Sequence, residues 1–158
     1  RKIIELGARP SIVPWVCSFL MDRQYSVRFK DTRSSWQPVE AGVPQGTRLG
    51  PLLFLALIDD VMRDQPTAHW KYVDDMSIAI SHNPRDQSGA DQLRHALLSL
   101  ENWCRENYVK LNAKKCVTFQ VSFSRAFVQQ AEIRLSDENL EQVNETKILG
   151  VSVQDNLK

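Results

Sequence analysis

The sequence predicts an α+β fold in which an antiparallel sheet packs on helices. Apolar residues alternate on both sides of Asp74 and Asp75, as in a β-hairpin whose tight turn carries the two acids. Apolar residues also recur at helical spacing in three segments, 10–21, 51–63 and 88–107. A chain of 158 residues with 42% hydrophobic and 25% charged residues suffices for one well-buried domain.

The N-terminal part is predicted to contain helices followed by a strand pair. Residues 1–21 have helical periodicity, broken at Gly7 and Pro10. Residues 25–30 alternate as a strand, and residues 36–40 form a shorter partner across a polar turn. This part of the chain therefore supplies helical core and one strand pair.

A glycine-rich loop at residues 41–51 precedes an apolar helix. The loop contains three glycines and two prolines, and its polar side chains are Gln45, Thr47 and Arg48. We expect Pro51 to lie in the first turn of a buried helix. Free N–H groups at a helix N-terminus favour anions, so the loop is consistent with phosphate or backbone contact, although the pattern alone is weak.

A second pair of adjacent acids, Asp59 and Asp60, ends this helix. Neighbouring residues on a helix point about 100° apart and cannot easily share one ion. We therefore interpret this pair as structural.

The C-terminal half is predicted to contain one long helix and several strands. An apolar stripe follows a capping-box pattern at Ser88 and Asp91. Its members are Leu93, Ala96, Leu97, Leu100, Trp103 and Cys104. The predicted strands are residues 111–121, a hairpin of 133–135 with 140–143, and a last strand at 146–153.

Two interpretations of Asp74 and Asp75 stay open on the residues alone. An Asp-Asp pair in a hairpin turn is commonly a solvated turn. If the carboxylates are buried, they need a compensating cation, and a hard divalent ion such as Mg²⁺ suits oxygen ligands. Adjacent strand residues face opposite sides, so the two acids need not both bind the ion. Asp74 is the first candidate ligand and Asp75 the second.

Taken together, these stretches resemble the reverse transcriptase family, in the style of retrotransposons without long terminal repeats. Four motifs in the family's order carry the resemblance: Gly42-Val43-Pro44-Gln45-Gly46 with Leu49–Phe54, Tyr72-Val73-Asp74-Asp75, Asn112-Ala113-Lys114-Lys115-Cys116, and Lys147-Ile148-Leu149-Gly150-Val151. The resemblance implies a polymerase palm-type fold. It also implies an RNA-directed DNA polymerase with Mg²⁺, or Mn²⁺, as cofactor, and with RNA template, DNA primer and deoxynucleoside triphosphates as partners.

The resemblance also implies roles for individual residues. Asp74 and Asp75 are expected to be catalytic and to bind metal. Lys115 is expected to protonate or neutralise the leaving pyrophosphate, although an exposed basic turn is an equally good interpretation. The implied substrate and primer contacts are Pro44, Gln45, Gly46, Arg48 and Tyr72 for template and nucleotide, and Leu149 and Gly150 for the primer grip.

The family pattern predicts a single partial domain over residues 1–158. Its expected parts are a palm helix with fingers-adjacent strands (1–40), a palm core (41–125), and a hairpin with the primer-grip strand (126–158). The family's first catalytic aspartate motif, most of the fingers and the thumb are not recognisable, so we expect the isolated chain to be inactive. An inactive retroelement remnant that at most binds nucleic acid is the alternative, and a metal-dependent hydrolase is a more remote one.

Composition narrows the remaining classes. No run approaches ~20 apolar residues and no signal peptide is recognisable, so we expect an intracellular protein, nuclear or cytoplasmic, without membrane contact. The net charge of +1 is low for a dedicated nucleic-acid-binding domain. Three widely spaced cysteines, Cys17, Cys104 and Cys116, are expected to be reduced core thiols.

Overall fold

The computed structural model describes residues 1–81, 83, 88–122 and 131–156. They form a mixed α+β chain with two compact units, Arg1–Asp60 (unit 1) and Val61–Lys158 (unit 2). The helices within the described residues are α1 (Lys2–Glu5), α2 (Val13–Leu20), α3 (Leu49–Ile58) and α4 (Ser88–Glu106). None of them is both long and apolar enough to cross a bilayer.

The strands are short and pair two by two. In unit 1 they are β1 (Gln24–Tyr25), β2 (Arg28–Phe29), β3 (Thr32–Arg33) and β4 (Gln37–Pro38). In unit 2 they are β5 (Ala68–Tyr72), β6 (Asp75–Ala79), β7 (Val117–Phe119), β8 (Arg134–Leu135), β9 (Glu138–Asn139), β10 (Glu141–Val143), β11 (Glu145–Ile148) and β12 (Val151–Gln154). The antiparallel pairs are β1 with β4, β2 with β3, β5 with β6, β8 with β9, and β11 with β12, whereas β7 and β10 are parallel.

The helical start of unit 1 matches the prediction. Gly7 has a φ of 88°, a left-handed conformation that suits glycine and ends α1. A 3₁₀ turn, Pro10–Ile12, then leads into α2, which buries Val16. The break in helical periodicity was therefore correctly located.

The strand pair of unit 1 differs from the prediction. Residues 25–30 do not form one continuous strand, because the strand is interrupted at 26–27, between β1 and β2. The chain then reverses at Lys30, which has a φ of 52°. Arg33 pairs with Arg28 and Thr32 with Phe29, so the predicted polar turn supplies strand β3. The outer pair joins Gln24 to Pro38 and Tyr25 to Gln37. A tight two-residue turn at 30–31 thus replaced the longer one that was expected.

Helix α3 occupies the predicted segment but is less buried than expected. It ends at Ile58 rather than near residue 63, and Leu52 is 62% exposed. A helix that is apolar on all sides needs partners on all sides. Within unit 1 it packs against α1, which covers one side of it.

Helix α4 forms the core of unit 2 as predicted. Its apolar stripe buries Ala96, Leu97, Leu100 and Cys104. Ile133 and Leu135 are both buried, and the segment that contains them packs against α4. The 3.6-residue period of the stripe thus identified the buried face.

Three strand predictions in the C-terminal half differ from the structure. The last strand at 146–153 is a hairpin, because Leu149 and Gly150 both have positive φ, 48° and 88°, and reverse the chain. The hairpin predicted from 133–135 with 140–143 has a tighter turn than expected, because 134–135 pair with 138–139. Leu140 continues this pair, since its amide donates to the Ile133 carbonyl at 2.9 Å, whereas Glu141–Val143 pair with β7. In place of one strand at 111–121, a 3₁₀ turn at Ala113–Lys115 precedes β7, which pairs with β10.

Within the described residues, the hairpin around Asp74 has no third strand, and its sheet consists of β5 and β6. The mixed α+β class is therefore established, whereas palm-type packing stays a prediction. The predicted domain parts also stay predictions, and their boundary at 125–126 lies outside the described residues.

Candidate active site

The two carboxylates of the predicted site lie at the tip of the β5–β6 hairpin. Tyr72 pairs with Asp75, and the turn between them consists of Val73 and Asp74. Asp74 is therefore a turn residue, while Asp75 is the first residue of β6. Both are exposed, so burial does not require a compensating cation at either carboxylate, although both can accept an external ligand.

The turn contains an unusual backbone conformation at Val73. Its φ is 54°, whereas β-branched residues strongly avoid the left-handed region because Cβ meets the backbone. Such strain costs on the order of 1–3 kcal/mol and recurs at active sites, where the surrounding structure enforces it. Here the paired strands on both sides hold Val73 in place and fix the direction in which Asp74 follows.

Lys71 of strand β5 links this hairpin to a buried segment of unit 2 by a hydrogen bond. The Lys71 ammonium group donates a hydrogen bond of 3.2 Å to the carbonyl oxygen of Val61. Val61 and the adjacent Met62 are 5% and 4% exposed, respectively. The strand that leads into the acidic turn is thus anchored to buried backbone.

The acidic turn carries the type of ligand that a divalent metal ion prefers. Carboxylate oxygens are the donors that Mg²⁺ and Mn²⁺ prefer. Among the described residues, however, no group of three or more histidine, cysteine or acidic side chains is placed to hold an ion. Asp74 and Asp75 can therefore provide part of a coordination sphere. No hydrogen bond or ion pair joins Lys115 to either of them in the described chain.

The glycine-rich loop of unit 1 is held in one shape by Thr47. Its hydroxyl donates to the carbonyl oxygen of Pro44 at 2.8 Å and accepts from the Gly50 amide at 3.1 Å. Gly42 and Gly46 have φ values of 84° and 74°, so both use a conformation that favours glycine. The loop is thus preorganised at the start of α3.

Arg23 fastens the other end of this loop. Its guanidinium group donates to the carbonyl oxygen of Leu20 at 2.9 Å and to that of Gly42. Sequence reasoning missed this residue because Arg23 and Gly42 are 19 positions apart and share no local pattern. It did not single out the capping role of Thr47 either, although a threonine beside a helix start is a known signal.

The structure places the other predicted residues in four local settings. Gln45, Gly46 and Arg48 are exposed on the loop, and Pro44 is half-buried beneath it. Tyr72 is exposed next to the acidic turn, and Lys115 is exposed on the 3₁₀ turn at 113–115. Leu149 and Gly150 form the exposed turn between β11 and β12.

Comparison with known proteins decides the family. Residues 1–153 match the model of the family described as reverse transcriptase (RNA-dependent DNA polymerase). The chain belongs to the reverse transcriptase family. Its relatives place it with the reverse transcriptase domains of retrotransposons without long terminal repeats, and this confirms the resemblance drawn from the motifs.

Three relatives of this reverse transcriptase domain come from Drosophila. The probable RNA-directed DNA polymerase from transposon BS of Drosophila melanogaster is 30% identical over 148 residues, 89% of this chain and 16% of the relative. The RNA-directed DNA polymerase from mobile element jockey of Drosophila funebris is 28% identical, with coverages of 90% and 16%. The probable RNA-directed DNA polymerase from transposon X-element of Drosophila melanogaster is 27% identical, with coverages of 85% and 15%.

This reverse transcriptase chain therefore spans about a sixth of the length of the curated relatives it matches. No solved structure matches it. The family generally uses divalent metal ions, nucleic-acid templates and nucleotide substrates.

Proposed function

We propose that this chain is the palm portion of an RNA-directed DNA polymerase, with the Tyr72–Asp75 turn as part of its catalytic site. The observation that carries the proposal is the strained two-residue turn, which holds two exposed carboxylates at the tip of an anchored hairpin. The family match over residues 1–153 supports the reaction class. The hairpin is the proposed centre of a palm-type sheet.

The proposed reaction joins a nucleotide to a DNA primer on an RNA template. The primer 3′-hydroxyl attacks the α-phosphate, and pyrophosphate leaves in line. Asp74 and then Asp75 would hold Mg²⁺ or Mn²⁺, which when bound supplies a Lewis acid that stabilises charge on the reacting phosphate. Two adjacent carboxylates suit this role because both residues are exposed and lie at a tight turn.

The remaining predicted residues have proposed roles in positioning substrate. Gln45, Gly46 and Arg48 contact template and nucleotide from a loop whose shape Thr47 fixes. Exposed Lys115 neutralises or protonates the leaving pyrophosphate. The Leu149–Gly150 turn contacts the primer, as a hairpin tip rather than as part of a single strand.

Metal binding by the turn is tested by calorimetric titration of the whole chain with Mn²⁺. We expect weak binding that Asp74→Ala lowers about tenfold, equivalent to about 1.4 kcal/mol. Asp59→Ala is the matched control, because it removes one acid from the other Asp-Asp pair and should leave binding unchanged. Equal binding by all three proteins would place the ion elsewhere and contradict the assignment to Asp74.

Activity is tested in a chimera in which residues 1–153 replace the matching segment of the Drosophila funebris jockey polymerase. We expect primer extension on an RNA template, lost with Asp74→Asn and kept with Asp59→Asn. The isolated chain is expected to give no extension, since the described residues offer only part of a metal site. A folded chimera that binds template and primer without extending them would support the inactive-remnant alternative.

A further inference from the structure

Arg23 lies at the junction of three segments of unit 1, namely helix α2, strand β4 and the glycine-rich loop. Its guanidinium group donates to the carbonyl oxygen of Leu20 at 2.9 Å, at the C-terminal end of α2, and to the carbonyl oxygen of Gly42 in the loop. Its own backbone carbonyl accepts a hydrogen bond of 2.9 Å from the amide of Val39, directly after β4. One residue thus joins the helix, the strand and the loop.

These contacts fix the path of the chain into the glycine-rich loop. Val39 and Gly42 are three positions apart, and Arg23 holds the first through its backbone and the second through its side chain. Thr47 holds the other end of the loop through its two hydrogen bonds. Gln45 lies between these two held points, so its position relative to α2 depends on Arg23.

Arginine is chemically suited to this junction. Its planar guanidinium group carries five N–H donors in a fixed fork, and here Nε and Nη2 of Arg23 bind different carbonyl oxygens. The Leu20 carbonyl belongs to the last turn of α2, where carbonyls have no partner within the helix and lie at the negative end of its dipole. A lysine has one compact ammonium group and should hold only one of the two carbonyls well.

We propose that Arg23 is a positioning residue for nucleotide binding, because it sets where the glycine-rich loop meets the template base and the incoming nucleotide. The inference rests on the proposed function, in which Gln45, Gly46 and Arg48 make these contacts. Release of the loop at Gly42 lets its backbone adopt other positions. The apparent affinity for nucleotide then falls in proportion to the fraction of molecules whose loop is in the productive position.

The first measurement is hydrogen exchange of the isolated 158-residue chain, which needs neither metal nor nucleic acid. We expect Arg23→Gln to speed exchange about tenfold in peptides covering residues 39–50, since local opening there becomes easier, and to leave peptides of α4 unchanged. Arg28→Gln is the matched control, because the Nε of Arg28 also donates to a backbone carbonyl, that of Lys30 at 3.3 Å. Unchanged exchange of the loop in Arg23→Gln, or equal acceleration by the control, would overturn the proposal.

The second measurement is nucleotide affinity in the jockey chimera, bound to an RNA template and a dideoxy-terminated DNA primer so that no reaction occurs. The dissociation constant of the next complementary deoxynucleoside triphosphate is read from its stabilisation of the complex. We expect Arg23→Gln to raise this constant about tenfold, as when the productive fraction falls to about a tenth. Arg23→Lys should give an intermediate value, because it keeps one of the two contacts.

Extension from an ordinary primer separates positioning from a general structural role. Arg23→Gln should raise KM for the nucleotide about tenfold and change kcat less than about threefold, because the loop contacts are alike in the ground state and the transition state. A fall in kcat at unchanged KM would overturn the proposal. So would normal nucleotide affinity despite faster exchange in the loop, because Arg23 would then be structural only.

The outcomes distinguish this inference from the proposed function. A chimera that binds nucleotide in an Arg23-dependent way without extending the primer would refute the polymerase activity and support the inference. Normal extension and normal KM with Arg23→Gln would do the reverse. A folded chimera that binds template and primer but no nucleotide would refute both.

Discussion

Gly50 lies so close to the carbonyl of Pro44 that a Cβ added at Gly50 would be 2.5 Å from that oxygen. The same Cβ would be 3.0 Å from the Thr47 hydroxyl, which links the two residues by hydrogen bonds. A contact of 2.5 Å essentially never occurs for real Cβ atoms. The glycine is therefore required by the fold of the loop at the start of α3.

Gly50→Ala should lower the free energy of unfolding by about 1–3 kcal/mol, the usual cost of overpacking. Urea unfolding followed by circular dichroism measures it. The sign of the change is informative, because replacing a glycine within a helix by alanine normally raises the free energy of unfolding by up to about 1 kcal/mol. A more stable Gly50→Ala protein would show that Pro44 and Gly50 are not in this close contact.

The sequence predicted those parts of the fold that depend on local patterns. The buried stripe of α4 follows from helical periodicity, and the β5–β6 hairpin from alternation around a tight turn. Strand pairing at longer range was not predictable in the same way. Alternation alone gives no sign that β7 pairs in parallel with β10, because partner choice depends on tertiary packing rather than on the pattern of either segment.

For the candidate site, the motifs identified residues but not their supports. Asp74 and Asp75 could be predicted because the turn that carries them is local. The hydrogen bond from Arg23 to Gly42 could not, because it joins segments that share no pattern. Leu149 and Gly150 were assigned to a strand because alternation continues on both sides, although a glycine after leucine also suits a turn.

Val73→Asn should raise the free energy of unfolding by about 0.5–1 kcal/mol, because asparagine tolerates the left-handed conformation better than valine. Val73 is partly exposed, so the change removes little apolar burial. Thermal unfolding measures the change. Val117→Asn in β7 is the control, and it should destabilise because asparagine suits strands poorly. If Val73→Asn destabilised the chain as much as Val117→Asn does, this result would argue against strain at the turn.

The three cysteines should react with iodoacetamide in the order Cys17, Cys116, Cys104. Burial raises the pKa of the Cys104 and Cys116 thiols, with a further upward contribution from Glu101 at Cys104. A raised pKa leaves less of the reactive thiolate at a given pH. Cys17 is exposed, which corrects the expectation that all three are core thiols.

Mass mapping after brief alkylation at pH 8 gives the order, and in urea the three rates should converge.

The raised folded-state pKa of Cys104 also stabilises the fold below its unfolded-state pKa, and this contribution is lost as pH rises through the folded-state value. Unfolding free energy should therefore decline above about pH 8.5, the usual thiol pKa. The unfolding free energy of the Cys104→Ala variant should decline less over the same pH range. Rapid alkylation of Cys104 in the folded chain would contradict its burial.

The ion pair between Lys2 and Asp60 should stabilise unit 1 measurably. The Lys2 ammonium lies 2.6 Å from the Asp60 carboxylate and donates to the Leu57 carbonyl at 2.8 Å, so it joins α1 to the end of α3. Both side chains are partly exposed, and solvent screening limits the expected coupling to about 0.5–1 kcal/mol.

A double-mutant cycle with Lys2→Met and Asp60→Asn isolates this coupling from other effects of each change. The control cycle uses Arg1→Gln and Glu5→Gln, an ion pair of similar length on the exposed surface, for which we expect no measurable coupling. The Lys2–Asp60 coupling should also persist better than a surface pair in 0.5 M salt, because part of its environment excludes ions. Equal coupling in the two cycles would mean that Asp60 has no special structural role.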